Sequence, residues 1–318
     1  MVDETARMRR LHPSAADGLL AVTVVTWAAA FPAITIGLTG YPPMALGLLR
    51  LLAASLTLAV AAAFTRLRRP PRRMWPRVVL AGLLGQTLYQ GLLMVGELRV
   101  PAGTASILIA TAPAFSVVAA ALLLKESARG RWLGMLIAFG GAAMVGATLG
   151  LGGGLFAIAV LVAAACQGIY HVIVKPLSEQ IGAFAATTWS VWAGTVMMLP
   201  ALPSALRVIP TASTSATEAA IFLGVIPSAL GYLTWSAAVA RTPIAHSTAS
   251  LYLVPVVALA LALVLLGEQP QPLALAGGAL AIAGVSLTRH PRHPRHPRRV
   301  ERDVDPREYL EHGSFIRH

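Results

Sequence analysis

Apolar residues run almost without interruption for close to 20 positions at a time, and the pattern recurs ten times along the chain. The runs fall at roughly 18–38, 43–64, 77–97, 101–124, 131–149, 154–174, 182–200, 218–239, 244–266 and 272–288. A helix of that length crosses the ~30 Å hydrocarbon core of a bilayer. The strict alternation of a membrane β-barrel is absent. Connections are mostly short and hold Gly, Pro or charge. The exceptions are 65–76, rich in Arg and Pro, and 201–217, rich in Ser and Thr. No segment reads as a separate soluble domain. Arg7, Arg9 and Arg10 precede the first run as in a signal peptide, but the run is too long for a typical signal core and further spans follow, so it is expected to stay. The pattern predicts an all-α integral membrane protein of ten transmembrane helices.

Composition sharpens this. The 318 residues are 56% hydrophobic and only 12% charged, about half the charged share of soluble domains, with a mean hydropathy of +0.70. Aromatics are 6%, while small residues abound, which suits close helix packing in lipid.

The net charge of +12 raises nucleic acid as a partner, but its placement argues against one. With the N-terminus inside, the inner side holds Arg7, Arg9 and Arg10, the arginines of 65–77, Lys125, Arg129 and Arg131, Lys175, Arg241, and Arg289 with the arginines after it. The outer side holds Arg99 and Arg207. That asymmetry is the positive-inside rule. It predicts a multi-pass protein of the cell's inner (plasma) membrane with both termini cytoplasmic, a lipid partner, and no nucleic-acid role.

An internal repeat underlies the runs. "TAPAFSVVAAALLLKES" (111–127) has nearly the plan of "LVPVVALALALVLLGEQ" (253–269). Pro113 and Pro255 are 142 positions apart, as are Glu126 and Glu268, Arg99 and Arg241, Gly82 and Gly224, and Pro101 and Pro243. The chain divides into an N-terminal segment 1–17, halves 18–149 and 154–288, and a basic tail 289–318. Five spans per half is odd, so the second half enters from the opposite face, and the halves are expected to be inverted repeats, a transporter architecture. Glu126 would then leave the membrane inside and Glu268 outside. Each proline frees a carbonyl and bends its helix; the bend is either a packing kink or an opening for a central cavity.

These residues carry a resemblance. "WAAAFPAITIGL" resembles the Trp-Gly-x-x-Phe opening of the EamA family of the drug/metabolite transporter superfamily, with Ala28 where that family commonly has Gly. "YPPMALGLLRLLAA" resembles its second span, placing the family's arginine on Arg50, and the two Pro…Glu pairs and the closing "GGALAIAGVSL" resemble its remaining signatures. The resemblance covers nearly all of 18–288. It implies ten helices and secondary transport of a small organic solute, amino acid-like or drug-like, often by export. The alternative is a non-transporting membrane scaffold or a membrane-embedded enzyme.

Candidate cavity residues follow from helical faces. Gln86, Tyr89, Gln90 and Met94 share one face of the third span. The offset of 142 carries them to Ser228, Gly231, Tyr232 and Ser236 of the eighth, beside Trp235. Polar groups facing lipid are costly, so these stripes should point inward, either to hydrogen-bond between helices or to meet solute near mid-membrane. The sixth span adds Gln167, Tyr170 and His171, and the first adds Trp27 and Phe31. For Trp27, Trp189 and Trp192 the competing assignment is lipid-facing or interfacial packing.

Arg50 lies within the second span and Glu97 closes the third, so they are a candidate ion pair; Arg50 could instead snorkel to the outer interface. His171, a turn before Lys175, is expected as a satisfied or interfacial histidine, with proton carriage the alternative. No carboxylate sits mid-span. Cys166 is the only cysteine and reads as a packing residue, and no Walker loop or nucleophile elbow is present. His290, His293 and His296 would share one edge of a polyproline helix, but a disordered basic tail is the simpler expectation. No catalytic residues, cofactor or metal are expected.

Overall fold

The computed structural model describes residues 15–124, 132–242, 247 and 250–287. Glu126, the arginines of 1–14 and the basic tail lie outside them. Among the described residues the chain is helical with no strand. Seven helices, or helix pairs in register, are long and apolar enough to cross a membrane. They are α1 (Ala15–Leu38), α2 (Pro43–Phe64), α3 (Arg72–Gly96), the pair α4 (Ala102–Ile109) and α5 (Ala112–Leu124), α7 (Gly150–Ile181), α8 (Ala183–Val208) and α9 (Thr214–Val239). Three shorter apolar helices complete the set: α6 (Trp132–Ala147), α10 (Leu253–Leu266) and α11 (Pro272–Leu287).

Local chemistry sets the ends. Pro43 opens α2, where its missing N–H is no loss. The Ser213 hydroxyl accepts from the Ala216 amide at 3.2 Å and caps α9. Gly182, at φ +88°, separates α7 from α8 in a conformation that side chains resist. The 32 residues of α7 span about 48 Å, well past the expected 154–174. Outward faces are bare hydrocarbon, with Phe64 86% and Val264 78% exposed, as lipid contact demands.

The fourth span is broken. Residues 110 and 111 form a turn between α4 and α5, just ahead of Pro113. Leu251 and Tyr252 form a turn ahead of α10 and Pro255. Pro113 cannot donate to the Ile109 carbonyl, nor Pro255 to that of Leu251, so each helix loses a rung at the turn.

The third and eighth spans hold a feature the periodicity does not announce. Gly82–Leu88 in α3 and Gly224–Gly231 in α9 are wound as π-helix, beginning 142 positions apart. Each packs backbone to backbone on a neighbour. A Cβ on Gly82 would lie 2.8 Å from the Ser190 carbonyl, and one on Gly224 2.5 Å from the Arg50 carbonyl. Ser190 and Arg50 are 140 positions apart, so α2 and α8 correspond with a slightly shorter offset.

Other contacts repeat on the same plan. The Thr35 hydroxyl donates to Glu97 Oε2 at 3.2 Å, and at the corresponding place Lys175 Nζ donates to the Val239 carbonyl at 2.9 Å. Ser55 and Thr195, themselves 140 apart, share a hydrogen bond of 2.7 Å between α2 and α8. In α6 and α11, a Cβ on Gly141 would fall 2.5 Å from the Gly277 carbonyl, and one on Gly284 2.6 Å from that of Gly134. Those glycines correspond at an offset of 143, so the two contacts are the same contact made twice.

Candidate substrate cavity

A narrow cleft lies where the two proline turns face α1 and α7. Ile109, Ala110 and Pro113 line it from the broken fourth span, and Leu251, Val254 and Pro255 from its counterpart. Trp27 and Phe31 of α1, Tyr89 of α3, and Gln167 and His171 of α7 complete the wall, with Ser106 beside them. A smaller, nearly closed cleft shares Trp27, Phe31 and Tyr89 and reaches Arg50 and Tyr232.

An aromatic group forms the floor. The Trp27 and His171 rings stack with centroids 6.2 Å apart and planes 6° off parallel. Trp27 also meets Tyr232 at 5.2 Å and Trp235 at 5.5 Å, while His171 lies 4.6 Å from Trp235. The Trp27 indole N–H donates to the Pro227 carbonyl at 3.2 Å, one of the carbonyls within the π segment. Tyr170 packs edge-on to Tyr232 at 5.5 Å and fills the space left by Gly85, where a Cβ would lie 2.3 Å from its ring. Glycine at 85 is therefore what lets α7 approach α3.

Several expectations need correction. Trp27 is not a lipid-facing or interfacial side chain; it lines both clefts. Trp189 does stand near the Arg-rich connection, donating to the Arg68 carbonyl at 3.0 Å and meeting Trp75 at 5.2 Å. His171 is neither satisfied nor interfacial: it is fully buried, with no hydrogen-bond partner on either ring nitrogen. Trp27, Tyr170 and Trp235 pack against it as rings, and none of them makes a hydrogen bond to it. Gln86 and Gln90 do not line the clefts. They face each other one turn apart, Gln90 Nε2 donating to Gln86 Oε1 at 2.8 Å. The Tyr232 hydroxyl donates to the Gly85 carbonyl at 2.8 Å, so only its ring is left for the cleft. Trp235 and Tyr170 are buried behind the cleft wall.

Arg50 and Glu97 do not pair. No carboxylate lies within 4.0 Å of the guanidinium among the described residues, where Lys175–Glu179 at 2.6 Å is the single ion pair. Arg50 is 2% exposed, so it does not snorkel either. Its Nε donates to Ser228 Oγ at 2.6 Å, and Nη1 has no partner. Glu97 instead holds Thr35, because the closing turn of α3 directs it toward α1. Glu268, expected only to mark a membrane exit, takes the Ala102 and Gly103 amides at 3.0 and 3.1 Å and thereby caps α4. The sequence signal for that role was its place in the repeat, a fixed distance after a proline; the amides that donate to it belong to the other half and could not be read from it.

Apolar helices of membrane-crossing length around a buried, largely apolar cleft at two helix breaks are the outline of a membrane solute carrier. The comparisons name the family: residues 14–147 and 154–289 each match the EamA-like transporter family, and the chain belongs to it. A protein of Streptantibioticus cattleyicolor described as a probable terminal-alkyne amino-acid exporter is 49% identical over 276 residues, covering 84% of this chain and 91% of its own. The uncharacterized transporter YdfC of Bacillus subtilis is 35% identical, covering 82% and 87%. A probable amino-acid metabolite efflux pump of Salmonella typhimurium is 29% identical, covering 85% and 93%. A solved crystal structure shares the fold, with a TM-score of 0.60 at 20% identity over 87% of this chain and 98% of that one. The chain is a multi-pass membrane transporter and not an enzyme.

Proposed function

We propose that the protein exports a small amino-acid-like solute across the plasma membrane, by alternating access between two inverted five-helix halves at 18–149 and 154–288. The observation that carries this is the position of the cleft. Pro113 and Pro255, equivalent residues of the two halves, both line it, so each half contributes a breakable span to one solute site. The cleft is narrow in this conformation, and flexing at one proline turn would open it to one face while the other stays shut. Trp27, Phe31, Tyr89, Leu251 and Val254 would hold an apolar side chain, and Gln167 Oε1, which has no partner, would take a hydrogen bond from the solute. The export direction and amino-acid class follow the descriptions of two relatives. The outward-facing arginine deficit supports ten spans with both termini cytoplasmic.

The test is efflux. Cells carrying the protein are loaded with labelled amino acids, including L-propargylglycine for its terminal alkyne, and the loss of label is timed. Faster loss of at least one amino acid than from cells without the protein is expected. Equal rates across the panel would overturn the amino-acid reading.

A further inference from the structure

We propose that Arg50 is the anchor for a carboxylate on the transported solute, so that the protein selects amino acids or other small carboxylates over cationic or neutral compounds. This rests on the export reading above and specifies its substrate. The guanidinium is buried in the membrane interior, which is costly for a charge without a partner. Ser228 fixes one edge through Nε at 2.6 Å. Nη1 is unpartnered, and the side chain lines the small cleft with Tyr89 and Tyr232. Glu97, engaged with Thr35, lies beyond ion-pair distance.

Two further observations point to a ligand and not to scaffolding. Among the residues lining the two clefts, which share Trp27, Phe31 and Tyr89, Arg50 alone bears a guanidinium, ammonium or carboxylate group. The cavity therefore has a fixed positive charge and no fixed negative one, which favours an anion and repels a cation. The repeat supplies the control. Residue 190 occupies the corresponding place in the second half, making the same backbone contact with a π segment, and it is a serine whose hydroxyl turns back to the Ala186 and Thr187 carbonyls. The packing at this position thus works without a charge, and the charge exists on one side only. A planar guanidinium held at one edge presents its free N–H groups in the geometry a carboxylate accepts.

The experiment compares L-propargylglycine with its carboxamide, which keeps the shape and the ammonium but removes the carboxylate. Both are assayed as competitors of labelled L-propargylglycine in proteoliposomes containing the full chain. The acid should compete better by about tenfold or more, the scale of a charge-assisted hydrogen bond. In Arg50→Gln the preference should fall to near parity, and Arg50→Lys should keep part of it. Ser228→Ala, which frees the guanidinium edge, should reduce the preference without abolishing it, and it stands in if Arg50→Gln fails to fold. Transport of the acid with no preference over the carboxamide in the parent, or a preference unchanged in Arg50→Gln, would overturn the carboxylate anchor and leave the export reading intact. No transport of any amino acid would overturn both.

Discussion

The Tyr232 hydroxyl and the His171 ring pose opposite questions. Tyr232 already has its partner, the Gly85 carbonyl across the α9–α3 contact. Tyr232→Phe therefore should cost about 1 kcal/mol of stability, read as a lower melting temperature in detergent, with solute affinity nearly unchanged because the ring stays in the cleft. Loss of affinity with an unshifted melt would reverse that assignment. His171 has ring neighbours and no hydrogen-bond partner, and the corresponding residue 140 positions earlier is Phe31. His171→Phe should keep or raise the melting temperature, since it removes two orphaned nitrogens, yet slow transport several-fold if those nitrogens meet solute. Unchanged transport would make the histidine a packing residue. At this scale the sequence exposed the polar stripes of the third and eighth spans, because such residues are conspicuous in an apolar run. It could not tell Gln90, which turns to Gln86, from Tyr89, which lines the cleft, because adjacent positions differ only by helix rotation, and a π segment changes that rotation.

Helix breaks and helix contacts were legible to different degrees. Pro113 and Pro255 were visible outright, since proline removes a donor wherever it stands. Pro113→Ala restores the rung to Ile109 and straightens the span, so it should slow transport while membrane insertion and yield stay normal; transport at the parental rate would make the break incidental. The π segments were hidden because seven or eight residues read alike at either winding. The α6–α11 contact was visible only as an excess of glycine. Gly141→Ala places a methyl 2.5 Å from the backbone of α11 and should destabilise by roughly 1–3 kcal/mol. Gly140→Ala, one residue away and facing open space, should be neutral or slightly stabilising. Paired thermal melts check both, and equal behaviour of the two variants would contradict the packing described.

Across the whole molecule, the offset of 142 was readable from Pro, Gly, Arg and Glu, while its drift to 140 in α2 and α8 and to 143 in α6 and α11 became visible only through paired contacts. Contacts such as Glu268 on α4 join distant segments, and no local pattern encodes them. The arginine asymmetry bears on orientation: in a Cys166→Ala background, a single cysteine at position 70 should react only from the cytoplasmic side, and labelling from outside alone would defeat the ten-span inverted arrangement. Alternating access itself is tested most directly by counterflow. Proteoliposomes preloaded with unlabelled L-propargylglycine are diluted into a trace of labelled solute, and a carrier that opens to one side at a time exchanges the two. The label should accumulate transiently above its equilibrium level and then decay, more slowly in Pro113→Ala. Label that rises only to equilibrium, or does not enter, would contradict a carrier built from two opposed, hinged halves.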